Sequence, residues 1–382
     1  MVGNKTIAST AVLNVTAGIV DVLAGITVTN NGSINIVSNL AGGNATTTIW
    51  TNSDNSTLKV GGVLLATGVL NATATGNTVE YNGAGAQTIK TPSSSTYYNL
   101  TLSGGGTKTA PSANVNITKN FTNGVTFAAN SQTITLNGTT AQTIAGVSTT
   151  TFFNLIVNNT LAGNAITLSR PIIVSNAFTL TDGIVLTTAT NKVSMGSAAT
   201  VSGFSDGSFV NGPMTYNSIT SNTVTFPVGK DSELHRVNLT VNGTSSNYTT
   251  EYIHSSATAL GFTLPGTLDK VSGIGYWTIT RDAGGAVTSA SVNLYYNGND
   301  VVNDAPNLRV AKVSGASPWV DIGGTGTASP TGNILSTTNF TTFSDFSLAN
   351  NTGGTNPLPI ELVEFTAELI DGKVQLNWGN SF

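Results

Sequence analysis

Cysteine is absent from the 382 residues, and only 8% of side chains are charged, against about 25% in an average soluble domain. Without cysteine there are no disulfides, no thiolate metal sites and no cysteine nucleophile, and redox chemistry gives no guide to compartment. The shortage of charge raises two alternatives, a membrane protein or a disordered chain. The richest apolar stretch, residues 61–70 (GGVLLATGVL), falls far short of the roughly 18 apolar residues that a spanning helix needs. Disorder is opposed by the pattern: Val, Ile, Leu and Phe alternate with Thr, Asn and Ser through most of the chain, a period of two that belongs to strands. Lysine and arginine number 14 against 18 acids, for a net charge of -4, and nowhere cluster. That excludes the phosphate-neutralising surface of a nucleic-acid binder. Residues 1–5 (MVGNK) are not followed by an apolar run, so no export leader is visible; either it has been removed or the chain is a fragment.

What is present is an ordered all-β chain divided by composition. Residues 1–200 hold 11 charged side chains and three prolines, and residues 201–382 hold 21 and eight. The first part contains a repeat. Asn82-Gly83, Gln87-Thr88-Ile89 and Tyr97-Tyr98-Asn99-Leu100 recur 55 residues later as Asn137-Gly138, Gln142-Thr143-Ile144 and Phe152-Phe153-Asn154-Leu155. Short strands are expected at residues 99–102, 115–117 and 133–136, parted by Gly, Asn and Ser turns. A unit of this size fits two or three rungs of a parallel β-solenoid over residues 1–204, with small β-sandwich repeats as the competing reading. Stacked rungs account for the missing charge: outward side chains form ladders, in which like charges repel and Thr, Asn and Ser hydrogen-bond to their counterparts.

Residues 205–349 carry longer alternating segments, at 223–228, 236–241, 249–254, 275–280, 290–296, 308–313 and 343–348, with Trp277 and Trp319 as core anchors. They read as an antiparallel β-sandwich. Residues 350–357 (NNTGGTNP) read as a linker. Residues 358–382 give a hairpin: a strand at 360–369, a turn at Asp371-Gly372, and alternating Val374, Leu376 and Trp378. The expectation is a truncated start of an immunoglobulin-like or fibronectin-like domain.

Leu358-Pro-Ile-Glu-Leu-Val-Glu-Phe365 followed by Gly372-Lys-Val-Gln-Leu-Asn-Trp378 resembles the segment that precedes the sorting domain in large Bacteroidetes surface proteins exported by type IX secretion. Tyr81-Asn-Gly-Ala-Gly-Ala-Gln-Thr-Ile89, Phe209-Val-Asn-Gly-Pro213 and Phe226-Pro-Val-Gly-Lys230 are similar to phrases in the same adhesin-like class. The resemblance implies passage through the type IX machinery and an extracellular or cell-surface location. Neither a signal peptide nor the terminal sorting domain is present in the sequence.

Candidate chemistry is sparse. In Asp231-Ser-Glu233-Leu-His235, alternation places three ligand-type side chains on one face of an extended segment, a metal or acid/base cluster, with a solvated strand edge as the bland alternative. Asn297-Gly-Asn-Asp300 and Asp304 form an oxygen-rich loop, making Asp300 and Asp304 the candidates for Ca²⁺ against an ordinary turn. His254 and Glu251 fall on opposite strand faces. Gly203-Phe-Ser205-Asp-Gly207 spells a hydrolase nucleophile elbow, but the residues after it cannot form the helix that this elbow requires. Ser103-Gly-Gly-Gly106 lacks the following helix of a phosphate loop. The acids of the first part, Asp21, Asp54, Glu80 and Asp182, are too scattered for glycoside hydrolysis. Thr-x-Thr spacing such as Thr133-Ile-Thr135 is too irregular for an ice-binding array. The sequence therefore reads as a non-enzymatic, secreted surface or adhesive protein without a cofactor beyond the Ca²⁺ candidate, meeting glycans or a surface protein. The competing reading is a carbohydrate-active enzyme or binding module centred on His235 and Glu233.

Overall fold

The computed structural model describes residues 3–282, 284–315, 318–358, 362–370 and 373–380. Strand dominates, and helix among these residues is confined to four short 3-10 turns. The chain divides into two compact units, residues 1–209 and 210–382.

The first unit is a parallel β-solenoid. Its longest ladder stacks Val12–Val15, Ser33–Ile36, Thr57–Val60, Thr78–Tyr81, Asn99–Leu102, Phe121–Asn123, Gln142–Gly146, Asn164–Leu168 and Ile184–Leu186 in parallel. Val12 aligns with Ser33, Ser33 with Thr57, Thr57 with Thr78 and Thr78 with Asn99, so one coil takes 21 to 24 residues. A second ladder runs through Thr96–Tyr97, Val115–Ile117, Thr133–Leu136, Thr150–Asn158, Ile172–Asp182 and Val193–Met195. The strands expected at 99–102, 115–117 and 133–136 are all present.

The two-residue period does the sorting between core and solvent. Ile34, Leu58, Val79, Leu100, Phe121 and Ile144 stand one above another, none more than 1% exposed. Each such side chain contributes about 1.5–3 kcal/mol by leaving water. Outward positions hydrogen-bond along the stack: Asn71 Nδ2 donates to Thr51 Oγ1 at 2.9 Å, Asn116 to Thr96 at 3.4 Å and Asn154 to Thr133 at 3.2 Å. Where charges meet in register they are opposite, as in Lys59 and Glu80 at 2.8 Å. This pair lies at the surface, so Lys59→Ala is expected to change stability by less than about 1 kcal/mol in urea denaturation.

The 55-residue repeat is two and a half coils. Asn82-Gly83 follows a strand of the first ladder, whereas Asn137-Gly138 follows Thr133–Leu136 of the second. The local device is nonetheless the same. Gln87 accepts the Gly83 N–H at 2.9 Å and donates to the Val60 and Gly62 carbonyls at 2.8 and 2.6 Å. Gln142 accepts the Gly138 N–H at 2.8 Å and donates to the Ile117 and Lys119 carbonyls, both at 2.8 Å. Each glutamine clamps its own turn to the coil beneath. The glycines are required by the approach, because a Cβ would lie 2.0 Å from the Gly61 oxygen at Gly83 and 2.4 Å from the Thr118 oxygen at Gly138.

The second unit is antiparallel for the most part. One sheet orders Met214–Ile219, Ser246–Ile253, Tyr276–Arg281, Asp345–Asn351, Leu308–Val313 and Trp319–Asp321; another orders Asn222–Phe226, Val237–Gly243, Val287–Tyr296 and Gly332–Leu335. Trp277 and Trp319 are 0% and 1% exposed, and Tyr216 of the first sheet meets Phe226 of the other edge-on at 5.1 Å. In residues 350–357, Asn350 belongs to the strand Asp345–Asn351, and both Asn350 and Asn356 are fully buried. Asn356 Nδ2 donates to the Asp304 carbonyl at 2.8 Å and to Asn350 Oδ1 at 3.0 Å. Polar side chains thus pack in the segment whose composition reads as a linker. Leu362–Ile370 pairs antiparallel with Lys373–Asn380. The Asp371-Gly372 turn, and residues 359–361 of the resembling motif, lie outside the described residues.

Candidate functional site

The segment singled out in the sequence, residues 231–235, is broken by a turn. Val228–Lys230 pairs antiparallel with Glu233–Leu234 across Asp231-Ser232, and Asp231 takes the left-handed backbone, φ 56°, that tight hairpins demand. The three side chains therefore do not share one face, a correction to the extended reading. Asp231 turns to the exposed His254, with Oδ2 at 2.7 Å from Nδ1. Glu233 and His235 stay together, Oε2 to Nε2 at 3.3 Å.

His235 is not a solvated edge residue; it is 1% exposed. Its ring stacks on Tyr252 at 3.8 Å with planes 9° apart, and its carbonyl accepts the Trp277 indole N–H at 2.7 Å. Asp300 Oδ2 lies 3.7 Å from His235 Nδ1. The oxygen-rich loop is a capped 3-10 turn: the Asn297 N–H donates to Asp300 Oδ2 at 2.8 Å, and Asn297 Oδ1 accepts the Asn299 N–H at 2.9 Å. The Asn297 and Asn299 amides both donate to Glu233. Burial, reinforced by the nearby Glu233 charge and opposed by the Asn297 hydrogen bond, pushes the Asp300 carboxyl up to about 7. Burial also raises Glu251, against the pull of Lys230.

Asp304, the other Ca²⁺ candidate, sits in a different network, accepting from Asn307 Nδ2 at 2.9 Å and from the Thr355 N–H and hydroxyl at 3.0 and 3.1 Å. These bonds hold its carboxyl below the ordinary range. Among the described residues no three His, Asp or Glu side chains are grouped to hold a metal. Ser205 lies in a tight reciprocal bridge with Ser208, backbone bonds of 3.0 and 2.9 Å, with no helix after it. At the glycine loop 103–106 the buried Lys108 Nζ donates to the Gly105 carbonyl at 2.6 Å and to the Gly83 and Gly85 carbonyls of the turn beneath at 2.7 and 3.0 Å. That polarity suits a cation and repels phosphate. Sequence reasoning missed Lys108; its register partner is Gln87, and the two perform the same task of satisfying loop carbonyls.

A feature with no sequence signature lies beside the short ladder of Gln87–Thr88, Thr107–Thr109 and Thr126–Ala128. A cleft of about 420 Å³ is bounded by residues 63–66 on one wall and 88–91 on the other, with Pro111 and Ser112 beyond. A smaller recess of about 220 Å³, shared through Val63 and Ala66, continues it toward residues 39–42.

The fold defines the class, a repeat protein built on a parallel β-solenoid and followed by a second all-β unit. No family model, curated protein or solved structure matches the chain.

Proposed function

We propose that the protein is a non-catalytic, secreted cell-surface protein with a structural or adhesive role, a solenoid stalk joined to a β-sandwich that meets glycans or a surface protein. The observation that carries this reading is the surface of the solenoid. Its rungs expose neutral Thr and Asn ladders bonded from coil to coil above a continuous apolar core. Such a stack keeps its shape without metals or disulfides and offers a long hydrogen-bonding face. The resemblance of residues 358–378 to type IX cargo supports export and display.

The second reading, a carbohydrate-active enzyme, draws on the contact of Glu233, His235 and Asp300. Sugar hydrolysis needs two carboxyl groups that reach the scissile bond. Asp300 is 1% exposed, and Glu233 is engaged by two asparagine amides, so the cluster fastens loop 297–300 to the hairpin. A polysaccharide hydrolysis panel on the intact chain and on Glu233→Ala and His235→Ala separates the readings. The expected result is no turnover, together with retention of the intact chain on immobilised polysaccharide or on cells. Turnover that disappears in both variants would establish the enzyme.

A further inference from the structure

Parallel pairing is interrupted between residues 64 and 88, although the same two coils are joined elsewhere through Thr57–Val60 and Thr78–Tyr81. On one wall, the Leu40 N–H donates to the Val63 carbonyl at 2.9 Å and the Leu65 N–H to the Leu40 carbonyl at 2.7 Å. In a parallel ladder this turns Leu64's own N–H and C=O away from residue 40, toward the cleft. On the other wall, Ile89 donates to the Thr109 carbonyl at 2.9 Å and Thr88 is the register partner of Thr109, so Thr88's backbone groups also turn toward the cleft. Two strand edges face each other with a gap between them.

The gap is built. Leu65 is fully buried in the left-handed conformation, φ 43°, which bends its wall out of the ladder. Across the cleft, the Lys90 N–H donates to the Tyr81 hydroxyl at 2.8 Å, and the Tyr97 hydroxyl donates to the Lys90 carbonyl. Both tyrosines are fully buried and joined at 3.1 Å. Burial pushes the Tyr81 hydroxyl up to about 12, so it remains a neutral donor and acceptor. These phenols take the backbone groups that a further rung would otherwise engage.

We propose that the cleft binds an extended peptide segment bearing an acidic side chain, which adds as a strand between the two edges. Leu64 on one edge and Thr88 on the other each turn an N–H and a C=O to the cleft, the pair of contacts that one residue of a guest strand makes with a parallel or antiparallel neighbour. Val63, Leu64, Ala66, Ile89 and Pro111 give the guest apolar walls. The acidic preference comes from Lys90: its ammonium makes no ion pair or hydrogen bond among the described residues, and it lies on the cleft wall, half-buried. Burial lowers its pKa, as for a cation short of a counter-ion. A sugar chain is disfavoured, because among the described residues no aromatic ring lines the cleft for a pyranose face to stack on. The inference holds whether or not the second unit binds glycans.

The test uses the intact chain and fluorescence anisotropy with labelled Thr-Val-Glu-Val-Thr-Val, the same peptide with Lys for Glu, an analogue N-methylated at alternate amides, and labelled oligogalacturonate. Saturable binding of the Glu peptide is expected. Affinity should fall about tenfold for the Lys peptide and for the Lys90→Ala protein, and binding should be lost with the N-methylated analogue and in Ala66→Trp, which fills the cleft from an exposed position. No saturable binding of the Glu peptide, equal binding of the N-methylated analogue, or preference for oligogalacturonate would each overturn the proposal.

Discussion

Gln142→Leu is expected to lower the unfolding free energy of the first unit by about 2–4 kcal/mol: four hydrogen bonds are lost, and the Lys119 carbonyl and Gly138 N–H lose their one partner among the described residues, at about 1–3 kcal/mol each with partial relaxation, whereas the Ile117 carbonyl keeps the Asn137 N–H and Asn159 Nδ2 keeps the Thr140 carbonyl. Gln142 is 1% exposed. It donates to the Ile117 and Lys119 carbonyls, and accepts from the Gly138 N–H and from Asn159 Nδ2 at 2.8 Å. Leucine matches its bulk and answers none of these groups. Gln142→Glu sharpens the test, because an ionised carboxylate would face two carbonyl oxygens. Its deficit should be at least as large at neutral pH and should shrink on acidification, when the protonated acid regains one donor. Urea denaturation followed by circular dichroism measures the loss, and hydrogen exchange around residues 117–144 locates it, since coils are stabilised by their neighbours. A Leu variant within about 1 kcal/mol of the parent would remove the clamp from the stability argument.

The second unit should become more stable as pH falls from 8 to 5. Asp300, raised to about 7, has an unfolded value of about 3.9. The folded state therefore binds the proton more tightly, and this contribution is fully present below the unfolded value and lost as pH rises through 7. The full window is worth at most about 4 kcal/mol. Asp300→Asn keeps an acceptor for the Asn297 N–H while abolishing the titration, so its urea midpoint should be nearly flat between pH 5 and 8. The buried Trp277 and Trp319 supply the fluorescence signal. A slope that survives in Asp300→Asn would shift the effect to another group, with Glu251, also raised by burial, first in line.

Much of the fold was legible because strand alternation is local. Residues 99–102, 115–117, 133–136 and 308–313 carry it plainly, and the strands occupy those spans. The charge deficit also had a readable cause in the stacked rungs, where Lys59 lies in register beside the oppositely charged Glu80. The coil length was hidden because identical phrases recur only after two and a half coils. The site was less legible for a different reason. Nothing around His235 announces burial; its surroundings come from Tyr252, Trp277 and Asp300 on other elements. The turn at Asp231 uses a left-handed aspartate without the usual following glycine, so alternation ran straight through it. The cleft depends on two phenols and one left-handed leucine acting across coils, a combination with no periodic trace.

The half-coil in the repeat bears on how such a chain can lengthen. A segment of 55 residues, inserted or removed once, is not a whole number of coils, so strands after it fall in other ladders, as the strand before Asn82 lies in the first ladder and the strand before Asn137 in the second. Because Gln87 and Gln142 secure their turns to the preceding coil in the same way although they lie in different ladders, the joint holds whichever ladder the inserted segment reaches.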